Sequence, residues 1–173
     1  MLDSKLRRLV AGPERLLREF GVRAGERILE VGPGSGYYSL ATAQRLQPDG
    51  HLICLDIQQE MLAATRERFG MDGRAAADFL RADAGALPLA SDSIDRVLLI
   101  GVLGEFPDRR RALDEIARVL RPMGRLSVCE QLPDPDFVTK RTLRSELGRL
   151  GFSELSTRGH AFYTSTWSAS AGK

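Results

Sequence analysis

The stretch Ile28-Leu29-Glu30-Val31-Gly32-Pro33-Gly34-Ser35-Gly36 constrains this chain more than any other. Ile28 to Val31 make an apolar run broken only by Glu30, and glycine then recurs at every second position before helix-forming residues begin at Tyr37. The pattern predicts a strand, a tight turn and a helix. Glycine at such a junction lets the backbone turn sharply and lets a ligand approach atoms that a Cβ would shield. This turn is the candidate binding loop, and glycine spacing decides which ligand suits it.

A dinucleotide fingerprint wants G-x-G-x-x-G, but its last glycine would fall on Tyr37 counted from Gly32, or on Ser39 counted from Gly34. A phosphate-binding P-loop ends in Gly-Lys-Ser/Thr, and no lysine lies between Lys5 and Lys140. What fits is acidic-x-Gly-x-Gly-x-Gly, from Glu30 to Gly36.

At 173 residues and 43% apolar content, the chain is sized for one domain with a full core. Its expected organisation is an N-terminal helical segment (1–26), an α/β core (27–167) and a frayed tail (168–173). A net charge of +2 suggests neither a nucleic-acid groove nor an anionic membrane as partner. Cys54 and Cys129 sit inside apolar runs without C-x-x-C spacing, and read as reduced core residues of a cytoplasmic protein. No signal peptide, lipidation motif or long apolar span is present, which supports the same location. With only His51 and His160 and no liganding cluster, no metal site is expected.

Leu6, Leu9, Val10, Leu16, Leu17 and Phe20 recur at helical spacing, with Pro13 predicting a kink or two short helices. The basic residues on the other faces would permit weak membrane-surface contact, though packing against its own domain is the favoured use. Strands are predicted at Arg27–Val31, Leu52–Leu55, Phe79–Ala84, Ile94–Ile100 and Leu126–Glu130. Helices are predicted over Tyr38–Leu46, Gln58–Phe69, Pro107–Leu120 and Thr139–Leu150, and a hairpin over Phe152–Thr157 and Ala161–Trp167. Five strands alternating with helices imply a mostly parallel sheet covered on both faces. Asp56 ends the second strand, roughly twenty residues past the glycine loop, where α/β nucleotide sites place an acid on ribose hydroxyls. One carboxylate can accept from both hydroxyls, and it can also cap the helix that follows.

The combination of Glu30 to Gly36, Asp56, Asp83-Ala84, Ile94-Asp95 opening a strand, and Arg118-Val119-Leu120-Arg121-Pro122-x-Gly124-Arg125-Leu126 resembles the type 11 class I methyltransferases that use S-adenosylmethionine, including enzymes of quinone biosynthesis. The likeness covers about residues 13 to 167. It implies a Rossmann-like doubly wound sheet of seven strands, order 3-2-1-4-5-7-6 with strand 7 antiparallel, and a cofactor lying across the carboxyl ends of the strands. By matching position, Glu30, Gly32, Gly34 and Gly36 would lie along the methionine part, Asp56 would hold the ribose and Ile57 the adenine ring. Asp83 and Ala84 would take the adenine amine edge, and the backbone of Gly101 would approach the methionine amino group. Met123 stands where the family usually has glycine, which implies a turn that does not need positive φ.

The acceptor implied is a small molecule or lipid, methylated by direct in-line displacement. Glu105, after strand four, is the tentative catalytic residue, with Tyr37, Tyr38, Glu130, His160 and Tyr163 as further groups able to orient an acceptor or take its proton. The chain lacks the Asp/Asn-Pro-Pro-aromatic tetrad of DNA amino-methyltransferases, having Gly101-Val102-Leu103-Gly104 instead. It has no proline-preceded cysteine for C5-cytosine chemistry, too few thiols for arsenite methylation, and only the turn-forming Asp134 and Asp136 as a local acid pair for catechol-type magnesium. Two alternatives from other classes are a non-catalytic S-adenosylmethionine-binding module and, less favoured by the glycine spacing, a dinucleotide-dependent oxidoreductase. Oligomeric state is not legible.

Overall fold

A computed structural model describes residues 12–72 and 77–171. Helix α1 (Pro13–Phe20) starts with proline at a position that needs no amide donor. It ends at Gly21 in the left-handed conformation. The Leu6–Val10 part of the predicted helix lies outside the described residues. Next come β1 (Arg27–Val31), α2 (Tyr37–Leu46), β2 (His51–Asp56), α3 (Gln59–Asp72), β3 (Asp78–Arg81) and β4 (Ile94–Ile100). A 3-10 turn (Leu103–Glu105) precedes α4 (Arg109–Val119), β5 (Leu120–Gln131), α5 (Lys140–Arg149), β6 (Ser153–Gly159) and β7 (Phe162–Ser168).

The strands form one sheet in the order β3-β2-β1-β4-β5-β7-β6, as predicted. β1 pairs in parallel with β2 and β4, while β7 runs antiparallel to both β5 and β6. Because side chains alternate along a strand, the central strands feed two apolar layers. Leu29, Val31, Val97 and Leu99 face α4 and α5, while Ile28, Leu52, Leu98 and Cys129 face α1 and α2. Neither Cys54 nor Cys129 forms a disulfide, and both are buried. Among the described residues no helix is long and apolar enough to cross a membrane.

Three segments depart from expectation, each for a local reason. β3 ends at Arg81, so Asp83 sits in the turn beyond it, where the Ala86 amide donates to the Asp83 carbonyl. β5 begins at Leu120, opposite Ile94, but the ladder resumes only at Arg125 opposite Arg96. The intervening Arg121-Pro122-Met123-Gly124 must loop out and return, and Met123 adopts φ +63° to do so, correcting the expectation of a turn without positive φ. Its side chain is exposed, which spares it a steric conflict with the core. Residues 168–170 of the predicted frayed tail are tied down: Ser168 closes β7, the Ala169 amide donates to the Gly124 carbonyl (2.8 Å) and Ser170 Oγ to the Gly151 carbonyl (2.9 Å).

Arg96, 0% exposed, fastens α1 to the amino end of the sheet. Its guanidinium donates to the Phe20 and Gly21 carbonyls (2.8 and 3.0 Å), to both Glu26 carboxylate oxygens (3.0 and 2.9 Å) and to Ser127 Oγ (3.1 Å). A buried charge is tolerable only when its donors are all met in this way, and removing one partner strands the others. Arg96→Ala is therefore expected to lower the unfolding free energy in urea by about 3–5 kcal/mol. Arg96→Lys should recover little, because one ammonium cannot reproduce the planar fork; full stability in either variant would contradict this role.

Candidate cofactor site

The glycine loop leaves β1 with one more ladder bond, the Gly32 amide donating to the Leu55 carbonyl at 2.8 Å. Gly32, Gly34 and Gly36 then take φ of +70°, +58° and +73°. The left-handed region disfavours any residue with a Cβ, and space adds a second restriction at two of these positions. A Cβ on Gly32 would lie 2.6 Å from Val102 Cγ2, and one on Gly36 would lie 2.9 Å from Thr65 Cγ2. The loop is thus wedged between α3 and the segment after β4. Thr65 Oγ1 lies 2.9 Å from the Gly34 carbonyl, and Arg68 Nε donates to the Ser35 carbonyl at 2.8 Å. Sequence reasoning missed Thr65, Arg68 and Val102, since nothing in an amphipathic helix or a loop marks a residue that braces a distant turn.

Beneath the loop, Glu30 lies between Cys54 of β2 and Leu98 of β4 and is 2% exposed. Burial pushes its carboxyl up to about 7, because desolvation disfavours the charged form. Glu30 Oε2 and Ser39 Oγ are buried without a hydrogen-bond partner. An orphaned carboxylate oxygen under a glycine loop is a receptor for a cationic donor.

At the end of β2, Asp56 Oδ1 accepts from the Gln58 amide at 2.9 Å, an Asx turn two residues ahead of α3; since α3 starts at Gln59, this corrects the expectation that Asp56 caps the helix itself. Desolvation raises the Asp56 pKa, against the lowering effect of the Gln58 and Ile57 amides. Ile57 is 60% exposed, an apolar surface at the lip of the site. The Ala82 amide donates to the Asp56 carbonyl, which draws the Asp83 turn to the end of β2. There Asp83 Oδ1 accepts from the Gly85 amide at 2.8 Å and Ala84 is buried. Gly101 also has positive φ (+63°), but a Cβ there would meet nothing within 4 Å. Its amide donates to the Cys129 carbonyl at 2.8 Å, so only the Gly101 carbonyl remains for a ligand. The nine residues expected to bind the cofactor therefore sit around the carboxyl ends of β1 to β4.

Beside Gly101 a cleft is lined by Tyr38, Ile100, Cys129, Gln131 and Phe162. Of the acid–base candidates, Glu105 is exposed on the 3-10 turn, His160 is exposed at the hairpin and Glu130 is buried. Tyr163 donates its hydroxyl to the Val138 carbonyl at 2.7 Å, and burial drives its pKa up, so it takes no proton. Among the described residues no group of acids, histidines and cysteines could hold a metal.

The donor set fits S-adenosylmethionine: a buried carboxylate with one unpartnered oxygen for the ammonium, an acid at the β2 end for the ribose diol and an exposed isoleucine for the purine face. Glu30 gives this fit a measurable sign. Its pKa in the folded protein lies above the ordinary 4.5, so the free chain loses stability as pH rises through about 7, by up to about 3 kcal/mol. An ammonium beside it favours the charged form, so binding S-adenosylhomocysteine near pH 6 is expected to release a proton. Calorimetry in buffers of different ionisation enthalpy reads that release, and Glu30→Gln should abolish it. Asp56→Ala should weaken the same ligand by roughly 1.5–3 kcal/mol; unchanged affinity in a folded variant would remove Asp56 from the site.

Comparison with known proteins agrees with the geometry. Residues 29–128 match the family described as "Methyltransferase domain". The chain is 37% identical over 118 residues to a demethylmenaquinone methyltransferase of Clavibacter sepedonicus, covering 68% of this chain and 46% of that protein. It is 34% identical over 130 residues to the ubiquinone/menaquinone biosynthesis C-methyltransferase UbiE of Pseudomonas fluorescens (70% and 50% covered). It is also 34% identical over 117 residues to an arsenite methyltransferase of Halobacterium salinarum (66% and 30% covered). The chain thus spans half or less of the length of these relatives. Among solved structures, a SAM-dependent methyltransferase from Aquifex aeolicus superposes with a TM-score of 0.84 at 20% identity, covering 97% of this chain and 99% of that one. The [4+2]-cyclase SpnF superposes with a TM-score of 0.80 at 19% identity (92% and 80% covered), a likeness of fold alone. On the family match and the relatives above 30% identity, this chain belongs to the class I S-adenosylmethionine-dependent methyltransferases.

Proposed function

We propose that this chain transfers the methyl group of S-adenosylmethionine to a small-molecule or lipid acceptor by direct in-line displacement, leaving S-adenosylhomocysteine. The observation that carries this reading is the convergence, at one end of the sheet, of the left-handed glycine loop, the Glu30 carboxylate with its one unpartnered oxygen and the Asp56–Ile57 pair. When bound, the sulfonium supplies a methyl on a neutral leaving group, so an aligned nucleophile about 3 Å away is the chief requirement. Glu30 and Ser39 would hold the ammonium, with the Gly101 carbonyl as a second acceptor. Asp56 would take the ribose hydroxyls and Ile57 would cover the purine, while Asp83 and the Ala84 amide would meet its amine edge.

The cleft beside Gly101 is the entry assigned to the acceptor. Its walls are mostly apolar with one amide, Gln131, which suits an uncharged molecule. None of its lining residues is a carboxylate or a histidine, so an acceptor whose nucleophile carries a free electron pair, or is readily ionised, is favoured. The quinone-pathway names of two relatives point the same way. Glu105 is an acid–base group carried by the 3-10 turn after β4, and Glu105→Gln is expected to slow turnover on the order of 10²-fold without altering cofactor affinity.

Incubation with S-adenosylmethionine and a reduced, unmethylated naphthoquinone, read by mass spectrometry, is expected to yield S-adenosylhomocysteine and a methylated product. EDTA should leave the rate unchanged. Cofactor binding without product across quinol, phenol, amine and lipid acceptors would favour the non-catalytic binding module, a reading that the fold's occurrence in a cyclase keeps physically reasonable.

A further inference from the structure

Arg118 opens the longest stretch on which the family likeness rests, yet none of the cofactor contacts assigned above uses it. It lies on α4, and its guanidinium turns to the chain between β3 and β4. Residues 82–93 form neither helix nor strand, so their backbone groups need partners from elsewhere. Leu87, 4% exposed, has both of its groups met by α4: its amide donates to Glu115 Oε2 at 2.8 Å, and its carbonyl accepts from Arg118 Nη2 at 2.9 Å. Arg118 Nη1 also donates to the Leu89 carbonyl (2.9 Å) and to Ser91 Oγ (3.3 Å). The two side chains hold each other as a fork, Nε to Oε1 at 2.7 Å and Nη2 to Oε2 at 2.8 Å.

Four residues before Leu87, the Asp83 turn is closed by its own bonds, from the Gly85 amide to Asp83 Oδ1 (2.8 Å) and from the Ala86 amide to the Asp83 carbonyl (3.0 Å). On its other side the Ala82 amide donates to the Asp56 carbonyl at 3.1 Å. The Arg111 stem lies across the turn, since a Cβ on Gly85 would be 3.3 Å from Arg111 Cδ. Ala82 to Leu87 is therefore fixed at both ends, by β2 and by α4, and covered by a third α4 side chain.

We propose that Glu115 and Arg118 are positioning residues: through Leu87 they hold the Asp83–Ala84 turn, and so make the site prefer adenine to a deaminated purine. The claim about the base rests on the cofactor reading of Asp83 and Ala84; the claim about the turn does not. Adenine presents an amine donor beside a ring-nitrogen acceptor, which match a carboxylate and an amide in that order. Hypoxanthine reverses both, with a carbonyl in place of the amine and a proton on the ring nitrogen. A fixed turn sets carboxylate against carbonyl and amide against N–H. A turn free to shift can carry its carboxylate to the ring N–H and relieve the conflict. Discrimination of this kind needs groups that cannot move away from the wrong partner.

Calorimetric titration with S-adenosylhomocysteine and with its deaminated analogue S-inosylhomocysteine tests the proposal without any methyl acceptor, so failure of methyl transfer does not touch it. The wild type is expected to bind the deaminated ligand more weakly by roughly tenfold or more, the worth of one hydrogen bond to a charged group. Arg118→Met keeps the stem and removes the donors, and should narrow that ratio to roughly threefold or less. Arg118→Lys should give an intermediate ratio, because an ammonium can reach a carbonyl but cannot form the fork. Arg109→Met breaks a comparable fork at the start of the same helix, to Glu146 of α5, and should leave the ratio at its wild-type value. Hydrogen exchange in the ligand-free protein reads the turn by itself: the Gly85 and Ala86 amides should exchange roughly tenfold faster in Arg118→Met, with the Gly32 amide unchanged. A ratio that survives Arg118→Met in the folded protein, or that falls equally in Arg109→Met, would overturn the proposal. A wild type that binds both ligands alike would overturn the base preference, and one that binds neither would overturn the cofactor reading. In either case faster exchange in Arg118→Met would keep the clamp on the turn, and unchanged exchange would overturn that as well.

Discussion

Three left-handed residues in five positions, Gly32, Gly34 and Gly36, set the terms for everything at the carboxyl end of this sheet. A chain leaving a central parallel strand must reverse over the sheet edge to begin the next helix, and here it does so without side chains on the inner surface of the turn. That lets Val102 and Thr65 close on the loop from either side, and it leaves backbone rather than side chain facing the ligand space. The same geometry buries Glu30 directly below. A carboxylate there would be a liability in a purely structural turn, because one of its buried oxygens finds no partner within the protein.

Buried charge is used in two ways in this fold. At the amino end of the sheet Arg96 has every donor direction answered, and it anchors α1 as a fixed part of the core. At the carboxyl end Glu30 and Glu130 are each left with an oxygen unanswered, and burial brings both to about 7. Unsatisfied groups reduce stability, so their position in the sheet is informative: both stand where ligands enter an open α/β sheet, outside the carboxyl ends of the strands. Glu30 lies beneath the glycine loop, and Glu130 Oε2 lies 3.4 Å from the Val138 amide in the segment after β5.

Much of this was legible in the residues, and the failures have physical causes. Glycine spacing and acids at strand ends pointed to the carboxyl edge of the sheet because they report backbone conformation and strand termini, both local properties. The strand order came from resemblance, since pairing across the sheet is not written in any single stretch. Met123 misled because turn type there is set by where the ladder must resume, at Arg125 opposite Arg96, and not by the preference of the residue in the turn. No role for Arg96 was legible in the sequence, since its five hydrogen bonds go to residues tens of positions away. Thr65 and Arg68 escaped notice for the same reason. Glu105 was favoured by its place after β4, whereas the deeper carboxyl, Glu130, stands out only once burial is known.

The central claim is that this edge of the sheet is built for an adenosine joined to an amino acid, and not for a dinucleotide. Side-by-side calorimetric titration with S-adenosylhomocysteine and with NAD at pH 7.5 tests it most directly. The account requires binding of S-adenosylhomocysteine, with NAD weaker by at least tenfold, because the loop offers glycine backbone and the Glu30 carboxylate where a pyrophosphate would need free amides and no negative charge. Tighter binding of NAD would contradict it.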